Sequence, residues 1–481
     1  MPSLKKSLLW LVLISPASWL SAADVASTSF EYFRSDHGLQ TGTGPLPSQL
    51  DAADALVWRV PLDSGHSTPI LAAGKIFLTT YRQESKELAV VALDQKSGKQ
   101  LWRVPLVPET VEQTHPLGNP ATATVACDGE HVFAFFGSAG LFCYDLEGKK
   151  LWQQKMGPFR DEYGAGSSPM LIGNEVVINQ DHDKDSFLAA FDRLTGRPLW
   201  KVPRPDAVRS YSTPALWSRD GRSELLVAGA LRLTAYDPEN GHALWWINGL
   251  ARIVIPTPFT EGPLVYMASW APGGDSGKRI SLPSWENAVA KWDANHDGKL
   301  SKDEIDDHEV LDRFYRMDLD QDGMLNQKEW ERHAEVFARA QNAILAIKPS
   351  GLGELDPSAV VWKYSRGVPY VATPVLDHGI VWMVKEGGIV TKLDAATGEL
   401  LQEDRVPGFG NYFASPAAGD GKVYFASEPG TVSVVAATKE WRLISSRNFH
   451  EKIYATPCLK SNRLFLRTEK ALYCFQPTGS D

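Results

Sequence analysis

The sequence predicts an all-β, eight-bladed β-propeller closed by an N-terminal strand, with a small α-helical insertion in its fifth blade. Three observations carry this. A phrase of a small residue, Thr or Ser (Asn119 in the second copy), and Pro begins a repeating unit eight times. Some 23 residues later each well-kept unit closes on Asp-x-x-x-Gly-x-x-Leu-Trp. One of the seven intervals between these starts is more than twice as long as the rest.

The unit starts fall at Pro69, Pro120, Pro169, Pro214, Pro258, Pro374, Pro416 and Pro457, at intervals of 41 to 51 residues except for 116 between Pro258 and Pro374. A period in the forties, filled with short β-branched runs and Gly-bearing turns, is the length of one four-stranded propeller blade. Subtracting one such unit of about 44 from the long interval leaves about 72 inserted residues.

The closing phrase reads Ala92-Leu93-Asp94 to Gly98 and Trp102, Ala190-Phe191-Asp192 to Gly196 and Trp200, and Ala235-Tyr236-Asp237 to Gly241 and Trp245. A copy one residue shorter carries Asp145, Gly148 and Trp152, and Gln402 replaces Trp in a later one. This is strand, turn, strand: Asp bonds its own backbone to start the turn, Gly takes the positive φ, and Leu-Trp opens the next strand. A large aromatic at a fixed place in every blade is expected to pack on the neighbouring blade. Proline cannot donate to a ladder and belongs on an edge, so the Thr-Pro segments are expected to line the central channel. The last unit ends at Cys474-Phe475 without a closing Trp strand, while an unclaimed one, Leu56-Val57-Trp58, stands near the start. Joining the two removes an exposed sheet edge and closes the ring.

Composition agrees with a large core: 43% of the 481 residues are apolar and 10% aromatic. The net charge of -9 argues against a nucleic-acid partner. Residues 1–23 read as a secretory signal peptide, with Lys5 and Lys6 before an apolar run over 8–14 and small residues before Asp24. That run is too short for a membrane anchor, so the mature chain is expected in the periplasm or outside the cell. Cys127, Cys143, Cys458 and Cys474 either pair in that oxidising compartment or lie buried as inert thiols. The expected organisation is a leader over 1–23, an N-terminal arm over 24–55, propeller over 56–272, the insertion over 273–340 and propeller over 341–481.

Within the insertion, Asp293-Ala294-Asn295-His296-Asp297-Gly298-Lys299-Leu300-Ser301-Lys302-Asp303-Glu304 matches the twelve-residue EF-hand loop at every diagnostic position. The segment from Asp318 to Glu329, which begins 25 residues further on, matches it too. A hard cation takes six to eight oxygens. Side chains of Asp293, Asn295 and Asp297, or of Asp318, Asp320 and Asp322, approach from one side. The Lys299 or Met324 carbonyl comes from another, Ser301 or Asn326 contributes directly or through water, and Glu304 or Glu329 closes the shell with both oxygens. Two calcium ions are therefore expected, held more tightly in the second loop, which offers four carboxylates against three. Leu300 and Leu325 are placed to pack the loops together. Ser284 caps a helix through Trp285, Ala288 and Trp292. Ile305, Val310, Leu311, Phe314 and Tyr315 form an apolar stripe between the loops, as Trp330, Ala334, Val336 and Phe337 do after the second.

The repeated Asp, Gly and Trp residues, over roughly 56–481 apart from the insertion, resemble the pyrroloquinoline-quinone-like propeller family. It includes quinoprotein alcohol dehydrogenases and the propeller lipoprotein of outer-membrane protein assembly. The resemblance implies the fold, and for its enzymatic members a quinone held in the channel with calcium, a catalytic Asp and commonly a disulfide between adjacent cysteines. No two cysteines here are adjacent, and neither that Asp nor those calcium ligands can be assigned to a position, so no catalytic residue is named. The channel rim offers His66, His115, Tyr163, Arg209, Tyr211, Arg252, Tyr370, Asn411, Tyr412, Lys452 and Tyr454 as candidates for a flat anionic ligand or an acidic peptide. Asp181-His182-Asp183 resembles a metal cluster but reads better as a solvated turn. The expected function is an exported calcium-binding scaffold with protein partners on a propeller face or on the insertion. The alternative is a quinone-dependent dehydrogenase.

Overall fold

The computed structural model describes residues 30–479 except 40, 110, 113, 160–162, 220 and 275–281. The expected leader lies outside the described residues. Eight four-stranded antiparallel sheets form the propeller, spanning 70–106, 126–154, 170–203, 215–248, 259–364, 375–405 and 417–448, with the eighth drawn from both ends of the chain. That eighth blade takes three strands from 458–475 and its fourth from Leu56–Pro61, where Trp58 pairs with Cys474 and Val60 with Leu472. The unclaimed Trp strand therefore closes the ring, as its sequence requires.

The repeating phrase acts between blades. In the turns, Asp192 Oδ1 accepts the amides of Leu194 and Thr195 at 3.1 and 2.8 Å, and Asp394 Oδ1 accepts those of Ala396 and Thr397 at 3.0 and 2.9 Å. Each Gly then sits at positive φ with the preceding blade's indole laid against it. Trp58 covers Gly98, Trp102 covers Gly148, Trp152 covers Gly196, Trp200 covers Gly241 and Trp362 covers Gly398. The indole nitrogens of Trp102, Trp152, Trp200 and Trp362 donate to carbonyls of that same next blade at 2.8 to 3.0 Å. A Cβ on Gly241, at φ +73°, would lie 2.6 Å from Trp200. Gly241→Val is thus expected to cost about 2 to 4 kcal/mol, combining the left-handed backbone penalty with displacement of the ring. Urea denaturation would measure it, and a loss below about 1 kcal/mol would mean that the indole yields freely.

One start needs correction. Blade 2's inner strand is Ala126–Cys127, so its hydroxyl position is Thr124 and Pro120 lies on the preceding loop. The hydroxyls show why. Thr68 N donates to Thr124 Oγ1, Thr124 N to Ser168 Oγ, and Ser168 N to Thr213 Oγ1, at 2.9 to 3.0 Å. Thr257 N donates to Thr373 Oγ1, Thr373 N to Ser415 Oγ and Ser415 N to Thr456 Oγ1, at 2.9 to 3.2 Å. At these six junctions a blade's first hydroxyl satisfies the backbone of the blade before it, a belt around the channel that needs Ser or Thr and not proline.

The N-terminal arm closes one end of that channel. Glu31 exchanges backbone hydrogen bonds with Cys127 of blade 2. His37 O accepts from Thr260 N of blade 5 at 3.0 Å, and Thr41–Gly42 adds a parallel strand to the inner edge of blade 7. Gly38, at φ +80°, presses so closely on the Pro258 carbonyl that a Cβ there would lie 2.0 Å from its oxygen. Arg34 is buried beside it and donates to the Pro374 carbonyl at 2.8 Å. The four cysteines are buried and unpaired, and burial pushes each thiol above its ordinary range.

The chain leaves blade 5 after its strand Leu264–Ser269 and returns to it at Ala343–Ile347. Among the described residues four helices lie between: α1 (Trp285–Trp292), α2 (His308–Leu311), α3 (Phe314–Met317) and α4 (Gln327–Arg339). They enclose a small core of their own, in which Trp330 lies 5.9 Å from both Trp285 and Trp292. Ser284 caps α1 by accepting from Asn287 N. The stripe between the loops splits into two short helices, and Tyr315 faces outward, leaving Met317 in its place.

Candidate functional site

The two acidic loops are joined back to back. Leu300 and Leu325 are partners in a short antiparallel ladder, both fully buried, with Ser301 opposite Met324. In the first loop Asp293 Oδ2 accepts Gly298 N at 3.0 Å and Asn295 Oδ1 accepts Asp297 N at 2.8 Å. Glu304 curls back so that Oε2 takes the amide and hydroxyl of Ser301, both at 2.8 Å, which holds its carboxyl below the ordinary range. The second loop repeats the pattern: Asp318 Oδ2 accepts Gly323 N at 3.0 Å and Glu329 accepts Leu319 N and Asn326 N at 2.9 and 3.1 Å. Asn326 and Glu329 form a reciprocal capping box that starts α4, so the helix fixes the loop's last ligand position.

The loops differ in charge and burial. One oxygen each of Asp318, Asp320 and Asp322 lies within 4.8 Å of the others. Asp318 Oδ1 is buried and has no hydrogen-bond partner. Burial raises the pKa of Asp318 and of Glu329 above the carboxylate range. Lys299 Nζ reaches across from the first loop to Asp322 Oδ2 at 2.9 Å.

A second candidate is the channel itself, a blind cavity of about 220 Å³ with Phe33 of the arm among its lining residues. Its wall is the hydroxyl belt of Thr68, Thr124, Ser168, Thr213, Thr373, Ser415 and Thr456, and its mouth carries His66, Tyr163, Tyr211, Tyr370 and Tyr454. His66 stacks on Tyr454 at 4.0 Å, and burial followed by the charges of Arg467 and Lys452 pushes its pKa down to about 3, so the imidazole is neutral. The structure separates the remaining rim candidates from this cavity. Tyr412 is buried with its hydroxyl donating to the Gly408 carbonyl at 2.9 Å, and Phe413 lines the cavity instead. Lys452 pairs with Glu428 at 3.1 Å, which Asn411 also contacts, and His115 tilts over Tyr163. Arg209 and Arg252 lie beneath the insertion, with their guanidiniums over the rings of Tyr315 and Phe337 at 5.9 and 5.2 Å.

The Asp181-His182-Asp183 segment is not a solvated turn. All three are buried, and the aspartates hold arginines from the next interblade loop: Arg204 Nε and Nη2 donate to Asp181 at 2.7 and 2.9 Å, and Arg209 Nε to Asp183 at 2.8 Å. These pairs anchor the surface on which the insertion sits. There Gln341 N donates to Leu250 O at 3.0 Å, and Asn342 exchanges hydrogen bonds with the backbone of Ala271. Among the described residues, no helix is long and apolar enough to cross a membrane.

Known proteins share this architecture. BamB from Moraxella catarrhalis is similar over 88% of this chain and 99% of its own, at 12% identity and a TM-score of 0.54. A quinohemoprotein alcohol dehydrogenase from Pseudomonas putida is similar over 90% of this chain and 78% of its own, at 12% identity and a TM-score of 0.52. A europium-containing methanol dehydrogenase is similar over 95% and 99%, at 11% identity and 0.54. At these identities the likeness is one of fold alone. No curated protein matches the chain in sequence at a significant level. The family described as outer membrane protein assembly factor BamB matches residues 32–161, 86–252 and 354–480. The stretch it omits is the one that holds the insertion, and with well over half of its residues matched the chain belongs to that family.

Proposed function

We propose that the protein is an exported calcium-binding propeller that serves as a binding or assembly scaffold, with two calcium ions in the insertion and protein partners on a propeller face or on the insertion. The observation that carries the reading is Asp318 Oδ1, a buried carboxylate oxygen without a partner inside a cluster of three carboxylates. Like charges so close favour a cation that satisfies them together. Asp293, Asn295, Asp297, Ser301, Glu304 and the Lys299 carbonyl would hold the first ion. Asp318, Asp320, Asp322, Asn326, Glu329 and the Met324 carbonyl would hold the second. The family membership supports the scaffold role, because the family's description names an assembly factor.

Extracellular calcium modules bind at about 0.1 to 1 mM, so the ions would be resident components and not signals. Calorimetric titration of the full chain is expected to show two sites, with Glu329→Gln removing the tighter and Glu304→Gln the weaker. Saturation at about 100 times Kd adds about 2.7 kcal/mol to the stability of whatever unit the ions hold together. Chelation should lower the melting temperature of the insertion, which has its own core, and leave the propeller folded. No binding heat and no change in melting would overturn the calcium reading.

The quinone alternative finds little support in the channel. Among the described residues that line the cavity there is no Asp, Glu, Lys or Arg. A polyanionic quinone and its metal therefore meet hydroxyls, phenols and one neutral imidazole. Dye reduction on adding the quinone, calcium and an alcohol would nonetheless replace the scaffold reading with an enzymatic one.

A further inference from the structure

Among the described residues no charged side chain lines the channel cavity, yet a buried guanidinium stands close behind its wall at each end. Arg34 follows Phe33 of the floor and donates to the carbonyl of Pro374, next to the belt's Thr373, at 2.8 Å. Arg467 holds Ser67, which lies between the lining residues His66 and Thr68. Its Nη1 donates to the Ser67 carbonyl at 3.0 Å and its Nη2 to that of Thr79 at 2.8 Å. The two arginines are 2% and 1% exposed, and each keeps one nitrogen, Arg34 Nη1 and Arg467 Nε, without a hydrogen-bond partner. Neither meets a carboxylate among the described residues. Burial alone acts on each and lowers its pKa to about 9, so both stay charged at neutral pH. The Arg467 charge is felt on the cavity wall, where it adds to burial in keeping His66 neutral. Between the two arginines the hydroxyl belt offers unspent donors. The oxygens of Thr124, Ser168, Thr213, Thr373, Ser415 and Thr456 each accept a neighbouring blade's amide, and among the described residues none of these hydroxyls gives its own hydrogen to a protein group. Thr68 is held by its amide, and its hydroxyl has no protein partner among the described residues.

We propose that the channel binds a single carboxylate, seated against the hydroxyl belt between Arg34 and Arg467, with the ring that carries it among the aromatic side chains of the mouth. An ionised carboxylate only accepts hydrogen bonds, at about four lone-pair sites, and a circle of hydroxyls with unspent hydrogens supplies the donors. Hydroxyls that already accept an amide are polarised to donate. A buried charge without a counter-charge is costly, and in a low-dielectric channel an anion's attraction for it is weakly screened. The quinone weighed above brings several charges and a metal to this wall. A monocarboxylate brings one charge, which the two guanidiniums offset from behind the wall without touching it. The cavity of about 220 Å³ is larger than the roughly 150 Å³ that suffices for benzene, so it has room for one ring and a carboxylate. At the mouth His66, Tyr454 and Phe413 form one stack, with ring centres 4.0 and 5.8 Å apart, against which that ring can pack. The carboxylate arrives on a free acid or at the C-terminus of a partner peptide, and the second is the kind of contact that the scaffold reading calls for.

Calorimetry on the full chain at neutral pH and constant ionic strength tests this with benzoate, its uncharged isostere benzamide, and the peptide acetyl-Gly-Gly-Phe with a free or an amidated C-terminus. Excess chelator throughout keeps the outcome separate from that of the calcium reading, on which the site does not rest. Saturable binding of benzoate, of the free peptide or of both is expected, with the uncharged counterpart at least about tenfold weaker. Tighter binding of the peptide identifies a chain end as the ligand, and tighter binding of benzoate identifies a free acid. Thr68→Val removes a hydroxyl that no protein group uses and keeps the side chain's shape. It is expected to weaken binding about tenfold, the value of one charge-assisted contact, without lowering the melting temperature. Arg467→Gln is expected to weaken binding to a similar extent through its charge alone. If that variant melts early, Thr68→Val still decides. The proposal is overturned if neither acid binds, if the uncharged probes bind as tightly as the acids, or if folded Thr68→Val binds as the parent does.

Discussion

Replacing Asp181 by asparagine is expected to destabilise the propeller by about 3 to 5 kcal/mol, the range found when one member of a buried ion pair is removed. Asp181 and Arg204 are both almost wholly buried, and their two hydrogen bonds of 2.7 and 2.9 Å are supplemented by the Tyr236 hydroxyl on Arg204. Burial opposes the charge on Arg204, but Asp181 and Tyr236 more than offset it, leaving its pKa above the ordinary value. The guanidinium therefore stays charged in the variant and loses the carboxylate that compensates it. Gly229 packs against this pair so tightly that a Cβ there would lie 2.6 Å from Arg204 Nη2, which leaves no room for water to substitute. Guanidinium denaturation of Asp181→Asn, of Arg204→Met and of the double variant gives the coupling energy. The double variant should recover much of the loss, because with Met at 204 and a neutral amide at 181 no buried charge is left uncompensated. A single-variant loss under about 1 kcal/mol would mean that the site relaxes and hydrates.

This pair also shows what the sequence could not convey. The ring was legible because five of the eight blades repeat the same local chemistry. Asp starts the turn, Gly takes the backbone that only it tolerates, and Trp covers the neighbouring Gly. The two back-to-back acidic loops follow from sequence for a related reason, since every position of such a loop is set by spacing within twelve residues. Asp181-His182-Asp183 depends instead on Arg204 and Arg209, which come from the next interblade loop and follow no repeat. The second unit's start was misplaced because the 107–125 loop carries its own Asn-Pro, while the feature that matters is a hydroxyl positioned for the adjoining blade's amide. Tyr412 was chosen over Phe413 for the channel, but neighbours in an extended segment face opposite ways. The arm gave no signal: its backbone bonds to four different blades, and it lacks any period of its own.

The arm and the insertion act at opposite ends of one channel. Phe33 lies among the residues lining the blind cavity, and Tyr211, Ile253, Ile255 and Tyr370 run from its mouth toward the seam beneath α4. The insertion thus adds charge of both signs to a mouth otherwise built from aromatic rings and hydroxyls.

A chain beginning after Pro61 is expected to lose cooperative folding, because it lacks both the plug and the strand that closes the ring. Leu56–Pro61 pairs along Ala471–Phe475, and Trp58 covers Gly98 of blade 1, so this one strand carries both a sheet ladder and the contact between the last blade and the first. Each ladder hydrogen bond contributes about 1 kcal/mol net. Removing residues 30–55 also withdraws the backbone bonds from the arm to Cys127 and Thr260. The strand left behind, Ala471–Phe475, is fully buried in the intact ring and would become an exposed apolar edge, a template for pairing with other chains. Size exclusion should therefore show oligomers, and calorimetry a broad transition at lower temperature. A synthetic peptide covering 50–62, added in trans, is expected to restore a monomer with a sharp transition, since Gln476 N already meets Ala55 O at 2.9 Å and the strand can dock without a covalent link. A truncated chain that melts as a monomer within a few degrees of the full one would show that seven blades and three strands hold the circle unaided.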